Sequence, residues 1–114
     1  MKIDRFEDII AWQKAKELTI SIYNEYKDSK DFSFRDQTQR AAVSIMNNIT
    51  EGFERKTNNE FKHFLYIAKG SCGEVRSMLY LAKELNTISK ESFDEKYNQS
   101  EEISKILSGL IKTL

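Results

Sequence analysis

The sequence contains no proline, four glycines, one cysteine and one histidine. Without proline and with so little glycine, the tight turns that join β-strands lack their usual material, and long uninterrupted helices are favoured. The lone cysteine, Cys72, can form no disulfide within the chain. No basic start, apolar run and small-residue cleavage site follow one another at the N-terminus, so a reducing cytoplasm is the expected location. Apolar runs are only a few residues long, far short of the roughly 20 needed to cross a bilayer, which excludes a membrane-spanning helix.

The same scarcity bears on chemistry. Catalysis needs a nucleophile or metal beside an acid or base, and there is no glycine-rich phosphate loop to supplement the one histidine and one cysteine. Glu60 and His63 have the Glu-x-x-His spacing of carboxylate metal sites in bundles, but such a site requires a second histidine pair and the chain has none. His63 lies off the apolar pattern and reads as a surface residue. Cys72 lies on that pattern and reads as a small core hydrophobe. No catalytic residue, metal, cofactor or small-molecule substrate is expected.

An excess of one charge is also missing. Eighteen Lys and Arg balance eighteen Asp and Glu, and the balance holds locally, with six of each in residues 1–30. Non-specific nucleic-acid binding draws most of its free energy from phosphate neutralisation, so this chain would need one segregated face, or several copies, to achieve it.

What the 114 residues do contain is 39% hydrophobic and 32% charged residues, enough for one core beneath a charged surface. One domain spanning residues 1–114 is expected. The apolar spacing is helical throughout. From about Asp8 to Asp28, Ala11, Ala15, Leu18 and Ile22 form one row, and Trp12, Thr19, Tyr23 and Tyr26 form its neighbour.

The polar stretch Asp28-Ser29-Lys30-Asp31 ends this first helix. Asp31 or Ser33 then caps a second, in which Phe34, Thr38, Ala41, Ile45, Ile49 and Phe53 face the core. Thr57 and Glu60 fit a capping box that opens a third helix after a break near Arg55–Asn58. That helix carries a heptad seam of Phe61, Leu65, Ala68, Cys72, Val75, Leu79 and Ala82. A second row of Phe64, Ile67, Ser71, Met78, Leu81 and Leu85 lies beside it. Together they cover about half the circumference, more than the stripe of about 100° that packing on one side requires.

Ser89 and Glu91 mark the start of a fourth helix, which buries Phe93, Tyr97, Ile103, Ile106, Leu107, Leu110 and Ile111. Short connections make neighbours antiparallel. The predicted fold is all-α, an antiparallel up-down-up-down four-helix bundle.

Two surface patterns remain. Arg40, Ser44, Asn48, Glu51 and Arg55 form one polar row along the second helix, either a solvated face or a seam at a subunit contact. Lys62, Lys69, Arg76 and Lys83 recur every seventh residue on the third helix. They are either basic stems covering apolar rims or, once copies assemble, a surface attractive to phosphates.

The segments IIAWQKAKELTISIY, QTQRAAVSIMNNITEGFERKTNNEF and FLYIAKGSCGEVRSMLYLAKEL resemble the bacterial four-helix-bundle family first noted in intervening sequences of 23S ribosomal RNA. The most specific part is the pattern of Arg40, Ala41, Ala42, Ser44, Ile45, Asn48, Ile49, Glu51, Gly52 and Arg55, followed by Ala68 to Ser71. The resemblance implies an antiparallel bundle assembled as a ring-shaped homopentamer without enzymatic activity. In a related branch, the accessory determinant of diversity-generating retroelements, the ring associates with nucleic acid.

The chain departs from the family at Met46, where proline is usual, and at Gln39, where arginine is frequent. It is also less basic than the retroelement branch, which places it nearer the intervening-sequence branch. On this reading Arg40, Ser44, Asn48 and Glu51 contact other subunits, and Arg55, Lys62, Lys69 and Arg76 contact RNA or DNA. The alternative is a protein–protein interaction module that binds no nucleic acid.

Overall fold

The computed structural model describes residues 2–114. A 3-10 turn at Phe6–Asp8 leads into four helices, α1 (Ile10–Tyr26), α2 (Phe32–Phe53), α3 (Asn58–Glu84) and α4 (Lys90–Lys112). The helical spacing that begins near Asp8 does not predict this opening turn. α1 has no side-chain cap, and the turn is tied to it by Phe6, which packs edge-on against Trp12, and by the Gln13 side chain, which donates to the carbonyl of Glu7.

The other three helices begin on the residues that the cap chemistry names. Asp31 accepts from the amide of Phe34, Thr57 from that of Glu60 and Ser89 from that of Ser92, each relieving an orphan donor of the first turn. The α3 terminus closes on Asn86, the one non-glycine among the described residues with positive φ, at 58°. There the amide of Thr87 bonds the Ala82 carbonyl and that of Asn86 bonds the Lys83 carbonyl, the paired arrangement of a left-handed C-cap. α2 runs unbroken through Met46, as expected where proline is absent.

Contacts between helices fix the topology. Thr19 donates to the Ala42 carbonyl while Tyr26 packs on Phe34, so α1 and α2 run in opposite directions. Ser44 meets Ser71, and Gly52 lies against Phe61 and Phe64, which does the same for α2 and α3. Lys69 meets Ser108, Arg76 meets Ser100 and Tyr80 meets Tyr97, reversing α4 against α3. Lys14 with Glu102 and Glu25 with Lys96 close the circuit between α1 and α4. The fold is the expected up-down-up-down bundle. At 27 residues and 1.5 Å per residue, α3 is about 40 Å long and spans nearly the whole 43 Å axis of the molecule.

The core follows the predicted rows closely. All seven seam residues of α3 are buried, as are Ala11, Ala15, Leu18 and Ile22 of α1 and Phe34, Thr38, Ala41, Ile45 and Ile49 of α2. Tyr23, expected in the second row of α1, is instead exposed, because it sits over the outer edge of the α1–α2 contact. Tyr97, Ile106 and Leu110 of α4 are only half-buried. Two polar side chains, Lys96 and Ser100, take core-facing places instead. Lys96 is 4% exposed and meets the Glu25 carboxylate at 3.3 Å across the α1–α4 boundary.

Candidate functional site

The second row of α3 divides. Ser71 is buried and Phe64 and Met78 are half-buried against α2, but Ile67, Leu81 and Leu85 stay 40%, 46% and 55% exposed. The bundle therefore leaves uncovered a good part of the broad apolar arc read from the sequence. Beside these side chains runs the polar row of α2, and the two together form the outer face of the α2–α3 pair.

Much of that polar row is occupied within the chain. Ser71 donates to Ser44 at 2.9 Å, and the Asn48 amide donates to both the carbonyl and the hydroxyl of Ser44. Glu51 and Arg55 pair at 2.9 Å on the open surface, where such a pair is worth only a few tenths of a kcal/mol. Arg40 is exposed and takes part in no salt bridge among the described residues. It lines a shallow depression of about 540 Å³ with Ser33, Gln37, Ser44 and Glu74. Arg40, Ser44, Asn48 and Glu51 thus share one face, Arg40 and Glu51 outermost.

The four residues expected to touch phosphate do not lie together. Arg55 stacks its guanidinium over Phe64 at 4.9 Å, on the α2 side of α3. Lys69 and Arg76 lie on the opposite side, facing α4. Lys69 donates to Ser108 at 2.6 Å and Arg76 to Ser100 at 3.2 Å, and Ser100 in turn donates to the carbonyl of Cys72. Lys62 and Lys83 belong to the same heptad row as these two, and the Lys83 ammonium sits 4.8 Å from the centre of the Phe93 ring. The row ends in an aromatic cluster of Tyr80, Phe93 and Tyr97. The Tyr80 and Tyr97 hydroxyls lie 3.4 Å apart, within hydrogen-bond reach of one another.

The residues considered for chemistry stand apart. Cys72 is fully buried, and that burial pushes its thiol up to about 11 against the opposing pull of Arg76, Ser100 and Lys69. His63 is exposed and packs its ring edge-on against Phe64, nine residues along the helix from Cys72. Among the described residues no three His, Cys, Asp or Glu side chains gather as metal ligands, and no helix is long and apolar enough to cross a membrane.

Residues 7–109 match the model of the 23S rRNA-intervening sequence protein family. Among solved structures, a protein of unknown function from the S23 ribosomal protein family of Bacteroides thetaiotaomicron superposes with a TM-score of 0.86 at 30% identity. The match covers 90% of this chain and 99% of that one. No curated protein matches the sequence.

Proposed function

The chain belongs to the 23S rRNA-intervening sequence protein family, and on that premise we propose that it acts by association: it assembles with copies of itself and contacts RNA or DNA, without catalysing a reaction. One observation carries the assembly. Ile67, Leu81 and Leu85 remain exposed in one row of α3 that Glu74 interrupts, and apolar side chains set among polar ones suit a subunit contact. Arg40, Ser44, Asn48 and Glu51 border that row and set its register.

A second exposed apolar pair, Ile20 and Tyr23, lies on α1, Tyr23 sharing a depression with Arg40. Two unlike faces meet head to tail, and a head-to-tail contact that closes makes a ring, in keeping with the homopentamer that the family resemblance implies. The nucleic-acid contact is assigned to the α3 edge bearing Lys62, Lys69 and Arg76. Arg55, paired with Glu51 on another face, is left out of it.

Light scattering after size exclusion tests the assembly. The protein is expected to run as an oligomer at micromolar concentration, and Leu81→Arg with Ile67→Arg to run as a folded monomer of unchanged helicity. A wild-type monomer throughout that range refutes self-association. Binding to RNA and DNA across a salt series tests the second half, since each phosphate contact steepens the salt dependence; no binding at low salt overturns it and leaves the protein–protein module.

A further inference from the structure

The α3 edge that faces α4 holds more than its lysines. Stepping by four and three, one row reads Lys62, Tyr66, Lys69, Gly73, Arg76, Tyr80 and Lys83, so that cations alternate with tyrosines around a central glycine. A methyl group at Gly73 would meet only the tip of Arg76, at 3.8 Å, which leaves the middle of the row low and open. Tyr66 is 58% exposed and Tyr80 49% exposed. Fourteen residues apart on one helix, they stand about 21 Å from each other along its axis.

On the neighbouring helix α4 adds a second row. Tyr97 and Ser108 touch α3, and Glu101, Lys105 and Lys112 share their face at helical spacing. The two rows together hold six Lys and Arg, with Glu101 between them; the acids that continue the rows stand at one end, Glu84 on α3 and Asp94 on α4, the latter paired with Lys90. None of the six cations takes part in a salt bridge among the described residues. The hydroxyls of Ser100 and Ser108 orient Arg76 and Lys69 without neutralising them. A chain with no net charge therefore concentrates positive charge along one edge of its long axis.

We infer that this edge receives a single strand of nucleic acid, its phosphates following the cations of α3 and α4 and its bases stacking on Tyr66 and Tyr80. The inference rests on the nucleic-acid contact proposed above and narrows it. A duplex keeps its bases stacked inside and offers only phosphates, for which exposed tyrosine rings in register with the charges would serve no purpose. A single strand presents base faces of any sequence, and alternating aromatic and basic side chains satisfy both of its surfaces at once. An acidic polypeptide would satisfy the cations but not the rings.

Fluorescence anisotropy with labelled oligonucleotides distinguishes these partners: single-stranded RNA and single-stranded DNA of the same mixed sequence, the corresponding duplexes, and a polyglutamate peptide as competitor. Single strands are expected to bind more tightly than duplexes, and polyglutamate to compete poorly. The comparison of RNA with DNA shows which sugar the edge prefers. Tyr66→Ala should weaken single-strand binding by roughly five-fold or more, the lower end of what one base–aromatic stack is worth, and Tyr66→Phe should restore it.

Tyr66 makes no ring contact among the described residues, so its loss spares the fold in a way that Tyr80→Ala, which opens the Phe93–Tyr97 cluster, does not. Lys105→Ala with Lys112→Ala should flatten the salt dependence. Duplex binding as tight as single-strand binding, an unaffected Tyr66→Ala, or equal competition by polyglutamate overturns the single-strand inference while leaving a charge-driven contact. Failure of every nucleic acid to bind at low salt removes the underlying reading itself.

Discussion

Replacing Gly52 by alanine adds one methyl group where α2 meets α3, and its effect follows from two opposed terms. An ideal Cβ at Gly52 would fall 2.7 Å from the Cβ of Phe64, 3.0 Å from the Phe61 ring and 3.2 Å from the Phe61 carbonyl. The first and last of these atoms are held by the α3 backbone and cannot rotate aside, so the helices must separate. Overpacking of this kind costs about 1–3 kcal/mol. Against it stands the helical preference of alanine over glycine, worth about 0.8–1.0 kcal/mol.

A 2.7 Å approach to an atom fixed to the backbone puts the clash in the upper half of that range, about 2–3 kcal/mol, so the net expectation is a loss of about 1–2 kcal/mol, or a fall in Tm of roughly 4–8 °C for a domain of this size. Gly70 and Gly109 supply the control, since a methyl group at either meets nothing within 4 Å. Gly109→Ala, on the open face of α4, should therefore raise stability by about 0.5–1 kcal/mol. Thermal and urea melts followed by circular dichroism, at fixed protomer concentration because assembly couples to stability, measure both. If Gly52→Ala melts at or above the wild type, α2 and α3 do not approach as closely as described and the reasoning fails.

Glu25→Gln should destabilise the fold by about 1–3 kcal/mol, because it leaves the Lys96 ammonium buried with only the more distant Glu95, 3.9 Å away, whereas Lys96→Met should cost less; equal losses in urea melts would contradict this. Cys72 should resist iodoacetamide at neutral pH until the protein unfolds, and rapid native labelling would refute its burial. Burial also raises the thiol to about 11 and the Tyr26 phenol to about 12, from 9.0 and 10.0. Both groups ionise more readily once unfolded, so stability should hold below pH 9 and fall as pH rises from 9 towards 12. Tyr26→Phe should shallow the upper part of that fall and, by removing a buried hydroxyl without a hydrogen-bond partner, leave stability at neutral pH unchanged or higher; a marked loss there would count against it.

Local features are legible in the sequence itself. Asp31, Thr57 and Ser89 begin helices because their side-chain oxygens satisfy amides two or three residues ahead, a matter of short-range geometry. The α3 seam was readable for a similar reason: a period of three and four admits one buried stripe, and all seven members are inside. The family resemblance was likewise carried by local motifs, in three segments of chain along the first three helices.

Only the packed bundle decided what happens at the flanks of each stripe. Tyr23, Ile67, Leu81 and Leu85 hold the same rank in the pattern as residues that are covered, and their exposure depends on where the neighbouring helix axis lies, which periodicity does not encode. Lys96 reads as surface until Glu25 arrives opposite it from the first helix. Arg55 and Lys62 are near in sequence yet face away from one another across α3, while Lys105 and Lys112 join the basic edge from the far end of the chain. Spacing along a helix sets which side chains share a face; the contacts between helices decide which faces remain for solvent or a partner.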